Sequence, residues 1–322
     1  RSKLQGITSH SLQNLKRRDM MIKMRIWISR ICLILLALTI NVARAQEEMP
    51  LLKTTHIYKD TLGLDYYTVE TKETASTDST VKKPLVVLLH GGGFYGGVRD
   101  GAGEEKFARE IAGKGIDVAS ISYRLTRKGT GFGCDCPAQD KITTFLKATE
   151  DLMAAVDFLE KNPEFEFDRE HIFLVGSSAG AETVLTAAYM TDHYEFKTIE
   201  PRKFAGVIAL AGAVIDSDYI TPENTIPAVL VHGEKDDLVP FGTAPHHYCK
   251  TSDPGYLMLD GSETIAKRLE ALGTSYILAE DPEGNHDWAN EGYELTDLIG
   301  QFIENVRTGT SFGSNRIHIQ SN

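Results

Sequence analysis

The chain has 322 residues, of which 42% are hydrophobic and 25% are charged, so its composition argues against disordered and fibrous proteins. Its formal net charge is −11, and no basic stripe interleaved with aromatic side chains offsets it, which argues against nucleic acid as a partner. No internal repeat is visible. We therefore predict one main domain over residues 46–310, followed by a disordered tail over 311–322.

The first 45 residues predict an export signal that follows an upstream extension over 1–19. Basic residues between positions 23 and 30 precede an apolar run over 31–40, and the small-x-small sequence typical of a cleavage site follows at 43–45. The run is about half the roughly 20 residues that span a bilayer, so no stable membrane span is expected. Cleavage after Ala45 would leave a secreted or periplasmic chain with charge 25 − 44 = −19.

Three cysteines remain after such cleavage, namely Cys134, Cys136 and Cys249. An odd number permits at most one intramolecular disulfide, and export makes one plausible, with Cys249 paired to either of the other two. The close spacing of Cys134 and Cys136 could instead suggest a metal site. Zinc needs three or four ligands at workable spacing, however, and the sequence offers no matching cluster, so we expect no metal.

Six short apolar runs are separated mostly by helix-like segments. This alternation predicts an α/β fold with a mostly parallel central sheet. Apolar residues at helical spacing over 142–159 and 295–306 predict helices that cover both faces of the sheet. The six predicted strands are 85–89, 118–123, 172–175, 207–210, 228–231 and 276–278.

Three further segments flank these strands. An antiparallel edge hairpin is predicted over 54–69, on either side of Gly63. Segments 124–140 and 241–260 are loop-like insertions rich in Gly, Pro, Asp and Cys. Each follows a strand at the end where open α/β sheets bind ligands, so we predict that both insertions form a substrate-facing rim.

The sequence Gly176-Ser177-Ser178-Ala179-Gly180 lies between a predicted strand and a predicted helix. This strand, turn and helix context is the one in which a nucleophile elbow presents a serine at the tip of a strained turn. Glycines are needed on both sides because neighbouring chains pack closely there. The pattern predicts Ser178 as a nucleophile.

A second glycine-rich sequence, HGGGF at 90–94, ends an earlier strand. Backbone amides in such a loop can stabilise the negative charge that develops on a carbonyl oxygen during acyl transfer. The run lacks the spacing of phosphate-binding and dinucleotide-binding loops. We predict that the amides of Gly92, Gly93 and Ala179 form an oxyanion hole.

A serine nucleophile also needs a base and a carboxylate that orients the base. Asp236 and His286 follow two later strands, and the order Ser, Asp, His is that of α/β-hydrolases. We predict Asp236 as the orienting carboxylate and His286 as the base. Asp237 is the main rival of Asp236, and Asp287 is a weaker one.

Other residues near these motifs have less specific predictions. Phe94, Tyr95 and Trp288 are candidates for substrate binding, although aromatic residues beside a sheet edge are commonly packing residues. His90 and His232 each end a strand next to glycine, where an imidazole usually hydrogen-bonds the loop backbone. His246 and His247 are predicted rim residues.

The four motifs HGGGF, GSSAG, HGEKDDLVP and GNHDW, at 90–94, 176–180, 232–240 and 284–288, together resemble hormone-sensitive-lipase-like and feruloyl-esterase-like (BD-FAE-like) carboxylesterases. The resemblance covers about residues 54–306. It implies an α/β-hydrolase fold with the triad and oxyanion donors given above. Ser177 stands where many relatives have an acidic residue, and no large helical cap is evident, so we expect a small cap or none.

Together with the predicted export signal, the resemblance implies a secreted serine esterase that acts through an acyl-enzyme, and no metal or organic cofactor is implied. Its expected substrates are short-chain acyl esters, either small molecules or acetyl or feruloyl esters linked to plant polysaccharide. A lipase or peptidase on the same fold remains an alternative, because fold alone does not separate these activities. A non-catalytic binding protein is a further alternative, but the triad is complete in sequence.

Overall fold

The computed structural model describes residues 50–70 and 82–321, together with Met20, Met21 and Met24. The predicted signal peptide therefore lies almost entirely outside the described residues, and the account below concerns the unit over residues 50–322. None of the described helices has the length and apolar character needed to cross a bilayer.

A central sheet carries the structure and has the strand order β1-β2-β4-β3-β5-β6-β8-β11-β12. From β4 to β12 all neighbouring strands in this order are parallel, whereas β1 with β2 and β2 with β4 are antiparallel. The strands are β1 (Leu51–Lys59), β2 (Leu62–Val69), β3 (Lys83–Leu89), β4 (Asp117–Ile121), β5 (Phe167–Ser177), β6 (Gly206–Leu210), β7 (Ala213–Val214), β8 (Ala228–Gly233), β9 (Thr243–Pro245), β10 (Met258–Gly261), β11 (Tyr276–Asp281) and β12 (Ser314–His318).

Helices pack on both faces of this sheet, which confirms the predicted fold class. Strand β3 shows why, because Leu85, Val87 and Leu89 join one apolar core and Val86 and Leu88 join the other. Side chains alternate between the faces of a strand, so a run of apolar residues needs cover on both sides. The helices are α1 (Ala102–Gly113), α2 (Ala138–Lys161), α3 (Ala179–Tyr189), α4 (Ser262–Ala271), α5 (Trp288–Glu291) and α6 (Thr296–Arg307).

Each face is covered by a different set of helices. Helices α2, α3 and α4 contribute to one core, through residues such as Leu152, Leu185 and Leu269. Helices α1 and α6 contribute to the other core, through residues such as Phe107 and Phe302. Each fully buried side chain of this kind stabilises the fold by about 1.5–3 kcal/mol, so these two cores fix the sheet on which the loops of the site are built.

The C-terminal residues differ from the prediction of a disordered tail over 311–322. Residues 314–318 form β12, which pairs in parallel with β11 from Tyr276↔Ser314 to Glu280↔His318. The prediction was wrong here because it relied on the Ser and Gly content of the segment. The open edge of β11 offers unpaired backbone groups, and pairing with these satisfies the backbone of the tail.

The two predicted insertions are joined by a disulfide between Cys134 and Cys249. This resolves the pairing that the sequence left open, and Cys136 remains a buried free thiol. The backbone amide of Gly255 also donates to the carbonyl oxygen of Cys134, at 2.8 Å. Asp253 lies close enough to both sulfurs to suggest a metal site, but the two sulfurs are bonded to each other.

Part of the second insertion is ordered by a small separate sheet. Strand β10 lies between β7 and β9 and is antiparallel to both. Asp260 pairs with Val214 on one side and with Thr243 on the other. A short helical turn over His246–Tyr248 follows β9. The rim is thus attached to the rest of the domain at several points.

Reduction of the disulfide should lower the stability of the domain. The bond closes a loop with a sequence separation of 115 residues, and such cross-links typically stabilise by about 2–4 kcal/mol. We expect Cys249→Ser, or added dithiothreitol, to lower the melting temperature by about 5–10 °C. Cys136→Ala is the matched control and should leave the dithiothreitol effect in place. A melting temperature that does not respond to reductant would contradict the pairing.

Candidate active site

Ser178 lies in a tight turn between β5 and α3, with φ 49° and ψ −117°. A left-handed backbone costs on the order of 1–3 kcal/mol for a residue with a side chain, so close packing must hold it. A Cβ added at Gly176 would lie 2.2 Å from the carbonyl oxygen of Gly180, and the amide of Ser178 donates to Leu210 at 2.8 Å. The turn therefore has the strained geometry that the sequence predicted.

The three predicted triad residues come together at the carboxyl edge of the sheet. Nε2 of His286 lies 2.9 Å from Oγ of Ser178, and Nδ1 of His286 lies 2.7 Å from Oδ2 of Asp236. Asp236 follows β8 and His286 follows β11, so neighbouring parallel strands bring these distant residues together. With its proton on Nδ1, His286 donates to Asp236 and can accept the serine proton at Nε2.

Asp236 is almost completely buried and its two carboxylate oxygens are fully used. Oδ1 accepts the backbone amides of Leu238 and Val239, each at 2.9 Å. Oδ2 contacts His286 and lies 3.2 Å from Nε2 of His232. Burial alone raises the pKa of Asp236, but the hydrogen bonds from His232 and His286 outweigh it and hold the pKa well below its usual range. Asp236 is thus ionised at neutral pH.

The two rival carboxylates, Asp237 and Asp287, do not occupy the position of Asp236 beside His286. Asp237 and Asp287 are both exposed, and neither forms a hydrogen bond with His286.

The surroundings of His286 change its pKa in two opposite ways. Burial lowers its pKa, but the hydrogen bond and negative charge of Asp236 outweigh burial, so the pKa lies above its ordinary value.

The glycine loop after β3 lies next to the serine turn. Gly92 and Gly93 have φ angles of 106° and 58°, and the carbonyl of Gly92 accepts the amides of Tyr95 and Gly96 at 3.1 and 2.9 Å. A Cβ added at Gly91 would lie 3.4 Å from Cβ of Ser178, which shows how close the loop is. Within the described residues, the amides of Gly92, Gly93 and Ala179 donate to no backbone acceptor.

These groups share a cavity of about 540 Å³. Gly92, Gly93, Ser178, Ala179 and His286 all line it. Both predicted insertions contribute to its wall, the first through residues 131–133 and the second through residues 246 and 247. The insertions therefore lie where a rim that faces the substrate was expected.

The three aromatic candidates have different positions. Tyr95 lines the cavity and is 52% exposed. Phe94 does not line it, because the turn through the glycines directs its ring into the core, 4.8 Å from the ring centroid of Phe132. Trp288 is also a buried packing residue, with Nε1 donating to Asp281 at 3.0 Å. Phe94 and Trp288 are therefore corrected from substrate binding to packing.

The histidines near the strand ends include one role that the sequence missed. His90 stacks on Tyr123 and has Nδ1 2.7 Å from the carbonyl of Gly91, as a structural histidine would. His232 bonds the backbone of Val239 at 3.1 Å, but it also contacts Asp236 and so positions the carboxylate. The sequence contained a signal for this role, because His232 stands only four residues before Asp236.

Glu182 is the second residue that sequence reasoning missed. It is a buried carboxyl group in the first turn of α3, four residues after Ser178, and it lines the cavity. Residues one helical turn apart lie on the same side of a helix. An acidic residue at this spacing from a predicted nucleophile was therefore a signal in the sequence.

Solved structures of other proteins have the same fold as this chain. Thermogutta terrifontis esterase 2, in a structure where paraoxon has phosphorylated it, matches with a TM-score of 0.54 and 18% identity over 81% of this chain and 95% of that one. MGS-M1, an α/β-hydrolase enzyme from a deep-sea metagenome library of the Medee basin, matches with a TM-score of 0.54 and 17% identity over 80% and 98%. The chain therefore has the α/β-hydrolase fold.

Sequence comparison confirms the resemblance to BD-FAE-like α/β-hydrolases. Residues 74–206 match the BD-FAE family model. Gut esterase 1 of Caenorhabditis elegans is 35% identical over 117 residues, which cover 35% of this chain. The match spans 20% of the length of that curated relative.

The electrostatic role of Asp236 can be tested by titrating His286 with NMR. We expect a pKa for His286 above its ordinary value of 6.5 in the parent protein. Asp236→Asn removes the negative charge and the ionic hydrogen bond that raise this pKa, so it should lower the pKa. Asp237→Asn, which changes the neighbouring exposed carboxylate, is the control and should have the smaller effect. A larger shift from Asp237→Asn would assign the orienting role to the rival residue.

Proposed function

We propose that this α/β-hydrolase is an exported serine esterase that hydrolyses carboxylic esters through an acyl-enzyme intermediate. The observation that carries the proposal is the chain of contacts from Ser178 through His286 to Asp236, at 2.9 and 2.7 Å. A serine hydroxyl is a weak nucleophile at neutral pH, and a base within hydrogen-bond reach activates it. Asp236 keeps that base in the required tautomer.

In the first half of the reaction, Oγ of Ser178 attacks the ester carbonyl while Nε2 of His286 takes its proton. The amides of Gly92, Gly93 and Ala179 would stabilise the negative oxygen of the tetrahedral intermediate, and each such donor is worth about 3–4 kcal/mol in other hydrolases. Collapse of the intermediate breaks the bond to the alcohol, which leaves with the proton from His286. The acyl group is then bonded to Ser178.

In the second half, His286 takes a proton from water, and the resulting hydroxide attacks the acyl-enzyme. The tetrahedral intermediate collapses to release the carboxylic acid, and Oγ of Ser178 recovers its proton from His286. Every proton transfer in this scheme uses His286, and no step uses a metal or an organic cofactor. Since the base must be uncharged, activity should fall as the pH decreases through the raised pKa of His286.

Short-chain acyl esters are the proposed substrates, as small molecules or attached to plant polysaccharide as acetyl or feruloyl groups. A cavity of about 540 Å³ is in the size range of small-molecule sites. The relatives support the reaction class, since one is called an esterase and structures of another are described with butyrate and propionate bound. Export is supported by the Cys134–Cys249 disulfide, because such bonds persist mainly in oxidising compartments.

Replacement of Ser178 tests the proposed nucleophile. We expect Ser178→Ala to lower kcat on a chromogenic acetate ester by at least about 10³-fold and to abolish covalent labelling by a fluorophosphonate probe. The relative that paraoxon phosphorylates supports the choice of probe. Ser177→Ala is the matched control, because the Ser177 hydroxyl donates to the backbone carbonyl of Ala289, at 2.6 Å. Labelling that survives in Ser178→Ala and disappears in Ser177→Ala would contradict the assignment.

A further inference from the structure

A buried carboxyl group and a buried imidazole lie in the wall of the catalytic cavity. Glu182 and His246 are 2% and 1% exposed, and both line the cavity that contains Ser178. Within the described part of the chain, Oε1 of Glu182 and Nδ1 of His246 have no hydrogen-bond partner. The large majority of buried polar groups in proteins are hydrogen-bonded, so two unpaired atoms in one cavity wall point to a ligand.

The positions of both side chains are set by the backbone around them. The amide of Glu182 donates to the carbonyl of Ser178 at 2.9 Å, one helical turn from the nucleophile. The amide of His246 donates to the carbonyl of Leu257 at 2.8 Å, and its ring packs edge-on against Phe132. Nε2 of His246 lies 3.3 Å from Oε1 of Glu182, but the two groups are not aligned for a hydrogen bond.

Burial favours the uncharged form of both groups. Burial raises the pKa of Glu182 to about 8, although the charged forms of His247, His286 and Lys141 would each lower it. Burial also lowers the pKa of His246 well below its usual value, and the charges of Lys141 and His286 add to that effect. A protonated carboxyl and a neutral imidazole each offer one hydrogen-bond donor and at least one acceptor.

We propose that Glu182 and His246 form a subsite that recognises a hydroxyl group on the ester substrate, an inference that rests on the proposed esterase activity. A hydroxyl both donates and accepts, which matches two neutral groups of the same character. An ammonium group would be matched by an ionised carboxylate, and an anionic group by a protonated imidazole. In the part of the chain that the structure describes, neither Glu182 nor His246 belongs to a group of three side chains that could bind a metal ion.

The subsite would determine specificity through the cost of leaving these groups unsatisfied. An apolar substituent that fills the cavity gives neither group a hydrogen-bond partner. Pockets built to bond a substrate hydroxyl reject the analogue that lacks it. Leaving one buried group without its hydrogen bond should lower kcat/KM by about tenfold.

The hydroxyl can belong to the acyl part or to the alcohol part of the ester, and matched substrates distinguish the two. The acyl pair is p-nitrophenyl 3-hydroxybutyrate and p-nitrophenyl butyrate. The alcohol pair is glycerol monoacetate and propyl acetate. With the full chain, we expect kcat/KM to favour the hydroxylated member of one pair by about tenfold. The pair that shows the preference identifies the part of the ester that contacts Glu182 and His246.

Three variants at the subsite and one control variant test whether the preference arises there. Glu182→Met and His246→Phe remove the hydrogen-bonding groups and should bring the ratio within the pair close to one. Glu182→Gln keeps a donor and an acceptor and should retain most of the preference. Glu164→Met changes an exposed carboxylate outside the cavity and should leave the ratio unchanged. Because each ratio is measured on one protein sample, a loss of folded protein cancels.

Failure of this inference can be distinguished from failure of the proposed function. Turnover of all four esters with a ratio near one in both pairs would overturn the subsite and leave the esterase proposal in place. A preference that survives in both Glu182→Met and His246→Phe would also overturn it. No turnover of any ester, together with no labelling of Ser178, would overturn the esterase proposal and the subsite with it.

Discussion

The close approach of two turns at the carboxyl edge of the sheet is the constraint on which the rest of the site depends. A Cβ added at Gly180 would lie 2.3 Å from the carbonyl oxygen of Leu89, so a side chain there would push the serine turn away from the end of β3. Ser178 and the loop that begins at Gly91 would then separate. Acyl transfer needs the nucleophile and the oxyanion donors around the same carbonyl carbon, and a displacement of about 1 Å is costly.

Asp236 links this edge of the sheet to the rim. Its carboxylate accepts the amides of Leu238 and Val239, which fixes the loop after β8. On its far side, His232 contacts Asp236 and bonds Ser262 at the start of α4 through Nδ1, at 2.8 Å. The orientation of the His286 imidazole is therefore coupled to packing beyond the three proposed triad residues, and that packing includes the helix that follows the second insertion.

Much of the fold and the proposed triad could be predicted because the signals are local. The strand over 172–175 and the glycines around Ser178 occur in one short stretch of sequence, and the six predicted strands all lie within strands of the sheet or overlap them. The order of the three motifs along the chain then identified Asp236 and His286 as partners for Ser178. Each of these inferences needs only the neighbours of a residue or the order of the elements.

The features that were missed depend on contacts between distant segments. Strand β12 exists because an edge of β11 is open, and the composition of the tail does not record this. Phe94 follows the glycine loop in sequence, but the conformation of that loop turns its ring into the core. The partner of Cys249 depends on how two insertions meet. Sequence patterns do not fix such contacts, which depend on the three-dimensional course of the backbone.

The unpaired polar atoms of Glu182 and His246 belong to the same class of feature, and their energetics suggest why they are present. Burial of a polar group without a partner costs about 1–3 kcal/mol, and the left-handed backbone at Ser178 has a similar cost. Most of the domain consists of two apolar cores, one beneath the helices on each face of the sheet. Departures from this pattern are expected at functional sites, where the fold tolerates a local cost. Ser178 and Glu182 lie one helical turn apart, and His246 lies in the wall of the same cavity. This is the arrangement expected if the strained serine reacts with a substrate that the polar pair holds.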